Sequence, residues 1–241
     1  MQKHYSQITT NDIRAYIALM TLERNWSLSY QDTVLRYVRT LFTWLTTEEY
    51  ISCNPTLRIK KIRSEKQVKK PFSEEEVEEL RRATDNARDL ALIDTMLSTG
   101  CRVGEIVGMN TAQINDDEII VTGKGNKQRT VYLNATARVS IKKYLETRTD
   151  DNPALFVSLL KPYNRLEISG VEINIRELGK KAGVFECHPH KFRRTAATKA
   201  LRRGMSIEQV QKMLGHSKIE TTLIYAQSDI EDIKQAHKKV M

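Results

Sequence analysis

The chain has little of what would mark a secreted, membrane-bound or metal-clustered protein. It holds three cysteines among 241 residues, Cys53, Cys101 and Cys187, odd in number and widely scattered. No disulfide framework is suggested, and a reducing cytosol fits. No apolar run approaches the ~20 residues of a membrane span. The first residues, MQKHYSQITT, lack the apolar core of a signal peptide. No acidic cluster offers itself to Mg²⁺. Cys187, His188 and His190 lie close together, but on successive positions they do not form a usual structural zinc spacing, so no metal is expected. Internal repeats and low-complexity tracts are missing as well.

Basic residues are plentiful. Lys and Arg number 39 against 30 Asp and Glu, a formal charge of +9. That excess points to a polyanionic partner, nucleic acid before anionic membrane. The length suits one large or two smaller domains with a real hydrophobic core.

Read in order, the chain opens with helices. Thr9 and Asp12 make a capping-box pattern, followed by Ile13, Tyr16, Ile17 and Met20 at helical spacing. A second helix is expected from about Ser29, capped with Asp32, bearing Val34, Val38, Leu41 and Leu45 on one face. Cys53-Asn54-Pro55 ends this helical region. Residues 57–71, LRIKKIRSEKQVKKP, form a basic connection in which seven cations face only Glu65. It is either a solvated tether or a strap along phosphates, with Lys60, Lys61, Arg63, Lys66, Lys69 and Lys70 as candidate contacts.

Pro71 and the Ser73-x-x-Glu76 capping box start a second domain. Residues 87–98 read as a central apolar helix that Gly100 breaks. Arg102 follows, and Glu105 either braces its guanidinium or caps the next helix. Residues 118–122 and 129–133 read as two strands joined by GKGNKQ, where Gly123 and Gly125 suit positive φ and Lys124 sits in the turn. Helices are expected at 137–147, 173–182, from Pro189 onward, at 206–214, at 218–225 and at 228–240. Gly215 closes the 206–214 helix.

One stretch organises the rest: HPHKFRRTAATKALRRGMSIEQVQKMLGHSKIETTLIY, residues 188–225. His190 and Arg193, three apart on a helix, share a face. Arg keeps its charge and offers a planar fork that matches a phosphate. His216 and then Tyr225 follow, the phenol being a nucleophile that is weak until activated. These are parts for phosphoryl transfer to a tyrosine.

The same residues carry a resemblance. TGCRVGEI, the VTGKGNKQRTVYL hairpin, HPHKFRRT and LGHSKIETTLIY occur in the order Arg, Lys, His-x-x-Arg, His, Tyr. In this the chain resembles the tyrosine recombinases, that is, the phage integrases and Xer-type site-specific recombinases, over roughly residues 72–230. The preceding part, SQITTNDIRAYIALM to FTWLTTEEYISCNP, looks like that family's core-binding domain without its first helix. The resemblance implies a mainly α fold with a small antiparallel sheet, and a two-domain C-shaped clamp around DNA. The divisions are a helical core-binding domain at 1–65, ending in the basic linker, and a catalytic domain at 66–241.

It implies Tyr225 as nucleophile, Arg102 and Arg193 as phosphate clamps, and Lys124, His190 and His216 as helpers. In that chemistry the arginines offset charge on the non-bridging oxygens. His190 accepts the phenol proton, Lys124 protonates the 5′ leaving oxygen, and His216 hydrogen-bonds a phosphate oxygen. A 3′-phosphotyrosyl bond stores the ester energy, and neither cofactor nor metal is required. The implied partners are double-stranded DNA with paired recombination sites and further copies of the chain, a dimer on a site and a tetramer in the synapse. The helix after Tyr225 is implied to dock protomers. The implied setting is the prokaryotic cytoplasm, at the nucleoid, in the service of DNA integration or a mobile genetic element. A type IB topoisomerase-like enzyme and an inactive DNA-binding module are the competing readings.

Overall fold

The computed structural model describes residues 3–62, 69–114, 117–123, 125 and 128–226. It divides into two compact units, Met1–Gln67 and Val68–Met241. Arg63, Lys66, Lys124 and the helix expected at 228–240 lie outside the described residues.

The first unit is a pair of helices, α1 (Thr10–Arg24) and α2 (Leu28–Thr47), preceded by a 3-10 turn at Tyr5–Gln7. Thr9 and Asp12 cap α1 reciprocally, as the spacing predicts. The cap of α2 differs from expectation. Ser27, not Ser29, accepts the Tyr30 N–H, and Asp32 lies inside the helix, 3.6 Å from Arg36. Ser27 has the extended backbone an N-cap needs, whereas Ser29 is already helical. Ile13, Ile17, Leu35, Phe42 and Leu45 form the core, with Ile59 and Ile62 packed against it. The start of the basic connection is therefore docked on this unit. The Pro55 carbonyl accepts from Thr10 and the Ile59 carbonyl from Arg39, while Lys60 and Lys61 stay exposed.

The second unit is mainly helical. α3 (Glu74–Arg82) starts at the Ser73–Glu76 capping box. The central α4 (Ala87–Thr99) buries Ala91, Leu92, Ile93 and Met96. It packs between α6 (Ala135–Glu146) and α8 (Pro189–Arg202). Gly100 ends α4 with φ +60°, and α5 (Val103–Val107) follows at once. β1 (Glu118–Thr122) and β2 (Gln128–Tyr132) pair antiparallel, with Ile119 opposite Val131 and both turned to the core. The second strand begins one residue earlier than its alternation predicts.

α7 (Ile168–Lys181) also starts earlier than expected, because Val171 and Ile175 continue its buried stripe by one turn. α9 (Ile207–Leu214) is capped by Ser206 and Gln209 and ended by Gly215. The helix expected at 218–225 is shorter: α10 (Glu220–Leu223) tightens into a 3-10 turn at Ile224–Ala226. Ile219 supplies no side-chain cap to extend it at the front. Ala197, Val210 and Leu214 form a small separate cluster against which Tyr225 packs. Among the described residues no helix is long and apolar enough to cross a membrane.

Candidate active site

Arg193 is the centre of the site. Helix α8 begins at His188, whose ring accepts the Lys191 N–H, with Pro189 at the first turn. One turn further on, α8 drives Arg193 inward, where it is 3% exposed. Its Nη1 donates to the Gly100 carbonyl at 2.7 Å, and its Nη2 donates to the Leu214 carbonyl at 2.7 Å. Nη2 also donates to His216 Nε2 at 2.9 Å. One guanidinium thus ties together the ends of α4 and α9 and the turn beyond.

All of these partners are neutral. Three other deeply set arginines differ: Arg88 holds Asp89, Arg148 holds Asp150 and Arg129 holds Glu105, whereas half-buried Arg165 donates to the Val107 and Met109 carbonyls and to Asn110. Among the described residues no carboxylate lies within ion-pair distance of Arg193. Burial, and then Arg102 nearby, depress its pKa to about 10, so it remains a cation at neutral pH. Three of its five N–H donors are engaged with protein groups, leaving two for an incoming oxygen. A desolvated cation with spare donors is a site built for an anion.

His216 follows Gly215, whose φ of +66° turns the chain directly after α9. A Cβ at Gly215 would sit 3.0 Å from Arg129 Cδ, so the approach also needs glycine. Arg193 only donates, so Nε2 of His216 accepts. The proton then sits on Nδ1, which donates to Thr222 Oγ1 at 2.9 Å. Burial, then Arg193, Arg102 and Arg129, lower the His216 pKa to about 4, consistent with this neutral tautomer. Contact with a phosphate oxygen requires the ring to give up its bond to Arg193. The Tyr225 ring lies over His216, centroids 6.0 Å apart and planes inclined by 27°.

Arg102 stands just before α5. Its backbone N–H donates to Glu105 Oε2 at 2.7 Å and its Nη1 reaches Oε1 at 3.3 Å. Glu105 therefore serves both as brace and as cap. The Arg102 side chain is 38% exposed, at the wall of a cavity of about 600 Å³ shared with His190, Arg193, Glu172 and Arg176. His190 is exposed at the start of α8. Partial burial lowers its pKa, and Arg193, Arg194, Arg102 and Lys69 push the same way. It is thus a neutral base at neutral pH.

The structure therefore brings Arg102, His190 and Arg193 to one cavity, with His216 bonded to Arg193 and Tyr225 stacked in turn on His216. Of the residues named for the basic strap, Lys60, Lys61, Lys69 and Lys70 are exposed. Lys69 is near enough to act on the His190 charge. Among the described residues no group of His, Cys, Asp and Glu could hold a metal. Sequence reasoning passed over two residues. Thr222, wholly buried, orients His216, and its signal was a threonine six residues after the histidine. Arg129, in β2, clasps Glu105, and its signal was an arginine in a half-buried strand.

The phage integrase family model matches residues 54–232. The chain belongs to the phage integrase family. The tyrosine recombinase XerC of Leptospira interrogans is 35% identical over 244 aligned positions, covering 97% of this chain and 78% of that protein. XerA of Pyrococcus furiosus is 35% identical over 185, covering 74% and 64%. The crystal structure of XerA recombinase superposes with a TM-score of 0.65 at 28% identity, covering 98% of this chain and 85% of that one. XerH bound to a palindromic difH substrate, in a post-cleavage complex, shares the fold: TM-score 0.79 at 20% identity, covering 98% and 74%.

Proposed function

We propose that Arg102, Lys124, His190, Arg193, His216 and Tyr225 carry out the strand cleavage of this recombinase. The chain is a tyrosine site-specific recombinase, which breaks and rejoins DNA strands through a 3′-phosphotyrosyl intermediate. The topoisomerase and inactive-module readings are not favoured. One observation carries the assignment of residues: among the described residues Arg193 is a buried cation held only by neutral groups, with Tyr225 stacked on its histidine partner.

In the proposed step the scissile phosphate enters beside Arg193 and Arg102. The Tyr225 oxygen attacks phosphorus while its proton passes to His190, already neutral. Negative charge grows on the non-bridging oxygens, and the two guanidinium groups offset it without reorganising. The 5′ oxygen departs with a proton from Lys124. The phosphorus is now esterified to Tyr225, and attack by another 5′-hydroxyl reverses the sequence and joins strands. His216 orients Arg193 in the free protein and exchanges that bond for the phosphate when DNA is present.

The partner we propose is duplex DNA, gripped by both units with the exposed lysines of the connection along the backbone. We further propose that two copies occupy a site and four meet in the synapse, docked through residues 228–240. XerH is bound to a palindromic difH substrate, and a lambda integrase dimer is bound to a core site; these support the DNA partner and the pair of copies on a site. The test is a nicked suicide substrate. Wild type is expected to accumulate a denaturant-resistant protein–DNA adduct, and Tyr225→Phe to bind the same DNA normally with none. An adduct formed by Tyr225→Phe overturns the mechanism.

A further inference from the structure

Arg129 lies at the meeting point of three pieces of the site and has no part in the chemistry above. It projects from β2. Its Nη1 and Nη2 donate to Glu105 Oε1 and Oε2 at 2.5 and 2.8 Å. Its Nε donates to the Met213 carbonyl at 2.9 Å, and Nη2 lies 3.7 Å from Cys101 Sγ. Glu105 is the residue that holds Arg102, and Met213 lies at the end of α9, directly before Leu214, whose carbonyl holds Arg193.

Glu105 is the reason this arrangement matters. Its carboxylate is 3% exposed beside two arginines. Burial alone would raise its pKa, but the Arg129 hydrogen bonds and the Arg102 N–H outweigh this and hold it below the ordinary carboxylate value. It is therefore a buried anion within reach of a residue whose task is to bind another anion. A carboxylate with two open oxygens accepts a guanidinium through both at once. Here Arg129 occupies both, and the Arg102 guanidinium is left with one contact of 3.3 Å.

We propose that Arg129 is a positioning residue for DNA cleavage: it saturates Glu105 so that Arg102 stays available to the phosphate, and it pins the end of α9 behind Arg193. This rests on the reading of Arg102 and Arg193 as phosphate clamps. Without Arg129, Glu105 draws Arg102 into a two-pronged pair, and the phosphate has to compete with it. The loss falls on the rate of the chemical step, since charge develops there, more than on DNA affinity, to which many distant cations contribute.

The experiment uses the full chain and a suicide substrate, measuring single-turnover cleavage, DNA affinity and melting temperature together. Arg129→Gln is expected to cleave on the order of a hundredfold more slowly, the scale of a misplaced catalytic group, with affinity within about threefold. A substrate with a 5′-bridging sulfur is expected to give no recovery, because the lesion is not in leaving-group protonation. The decisive variant is Arg129→Gln with Glu105→Gln. Removing the competing charge is expected to restore at least tenfold of the lost rate. A purely structural role predicts the opposite, since two lost partners leave the fold no better and the rate no higher.

The proposal is overturned if Arg129→Gln cleaves at the wild-type rate, or if the double variant is no faster than the single one. It is also overturned if the rate per folded molecule, corrected by the melting curve, is unchanged. Failure of the underlying mechanism looks different: wild type itself then forms no Tyr225-dependent adduct.

Discussion

Arg193 shows how a single residue acquires its role from what does not surround it. Arg88, Arg129 and Arg148 are all answered by carboxylates. Arg193 is answered by two carbonyls and an imidazole, which leave its charge unneutralised and suit the role proposed for it. Substitutions distinguish its role from that of Lys124. Lys124→Ala is expected to slow cleavage of an ordinary substrate and to regain most of it on one with a 5′-thiolate leaving group, which needs no acid. Arg193→Ala is expected to show no such recovery, having lost transition-state charge stabilisation of about 3–4 kcal/mol. Rescue of Arg193→Ala alone would reverse the two assignments. His190 makes a prediction in pH. Its pKa lies below the usual 6.5, so the base form prevails at neutrality and is lost as pH falls. Single-turnover cleavage should be flat near pH 7 and decline with an apparent pKa below 6.5. A midpoint above 7 would exclude His190 as the group that sets the limb.

Among the elements, helix ends matter more than helix middles. The C-terminal ends of α4 and α9 present the Gly100 and Leu214 carbonyls to Arg193, and the start of α8 presents His190. The cap that Ser206 makes with Gln209 emerges only in the structure, whereas the capping patterns at Thr9 and Ser73 locate their helices because the bonds they make are local. Ser29 did not, because Ser27 stood two residues closer to the turn and took the role first. The α7–α8 connection is held by an unusually close approach. A Cβ on Gly179 would fall 2.2 Å from Cys187 Cβ and 3.1 Å from the Val184 carbonyl. Gly179→Ala is therefore expected to destabilise the protein by about 1–3 kcal/mol or more. Thermal melting checks it, and an unchanged midpoint would mean that the 183–188 segment shifts freely. Since that segment leads into α8, cleavage should fall with stability.

At the scale of the molecule, the question is what binds the connection between the units. Lys60, Lys61, Lys69 and Lys70 are exposed at its two described ends. Changing all four to Gln is expected to weaken DNA binding and to reduce the slope of log K against log salt by up to about 3–4. An unchanged slope would remove the strap. Deleting residues 228–241 is expected to spare binding by a single copy and to abolish cooperative assembly on paired sites. Equal assembly by the shortened chain would mean that this segment packs on its own unit.

What the sequence determined by itself is the set of local instructions and the inventory of chemistry. Helical stripes, the β hairpin and most caps are legible because they depend on neighbours three or four residues away or directly across a turn. The motif order of Arg, Lys, His-x-x-Arg, His and Tyr is legible in the same way, as a pattern along the chain. Only the tertiary structure decided that, of the two buried arginines among the described residues, Arg88 meets a carboxylate and Arg193 does not. Glu105 lies in α5 and Arg129 in the second strand of the hairpin, and Gly100, Arg193 and Leu214 lie at the end of α4, within α8 and at the end of α9. Each of those pairings depends on how α4, α8, α9 and β2 pack, and burial then sets the value of each charge. A carboxylate in the core costs several kcal/mol unless a cation meets it there. The fold therefore spends Arg129 on Glu105, and in the proposed mechanism Arg193 is the cation kept for the phosphate.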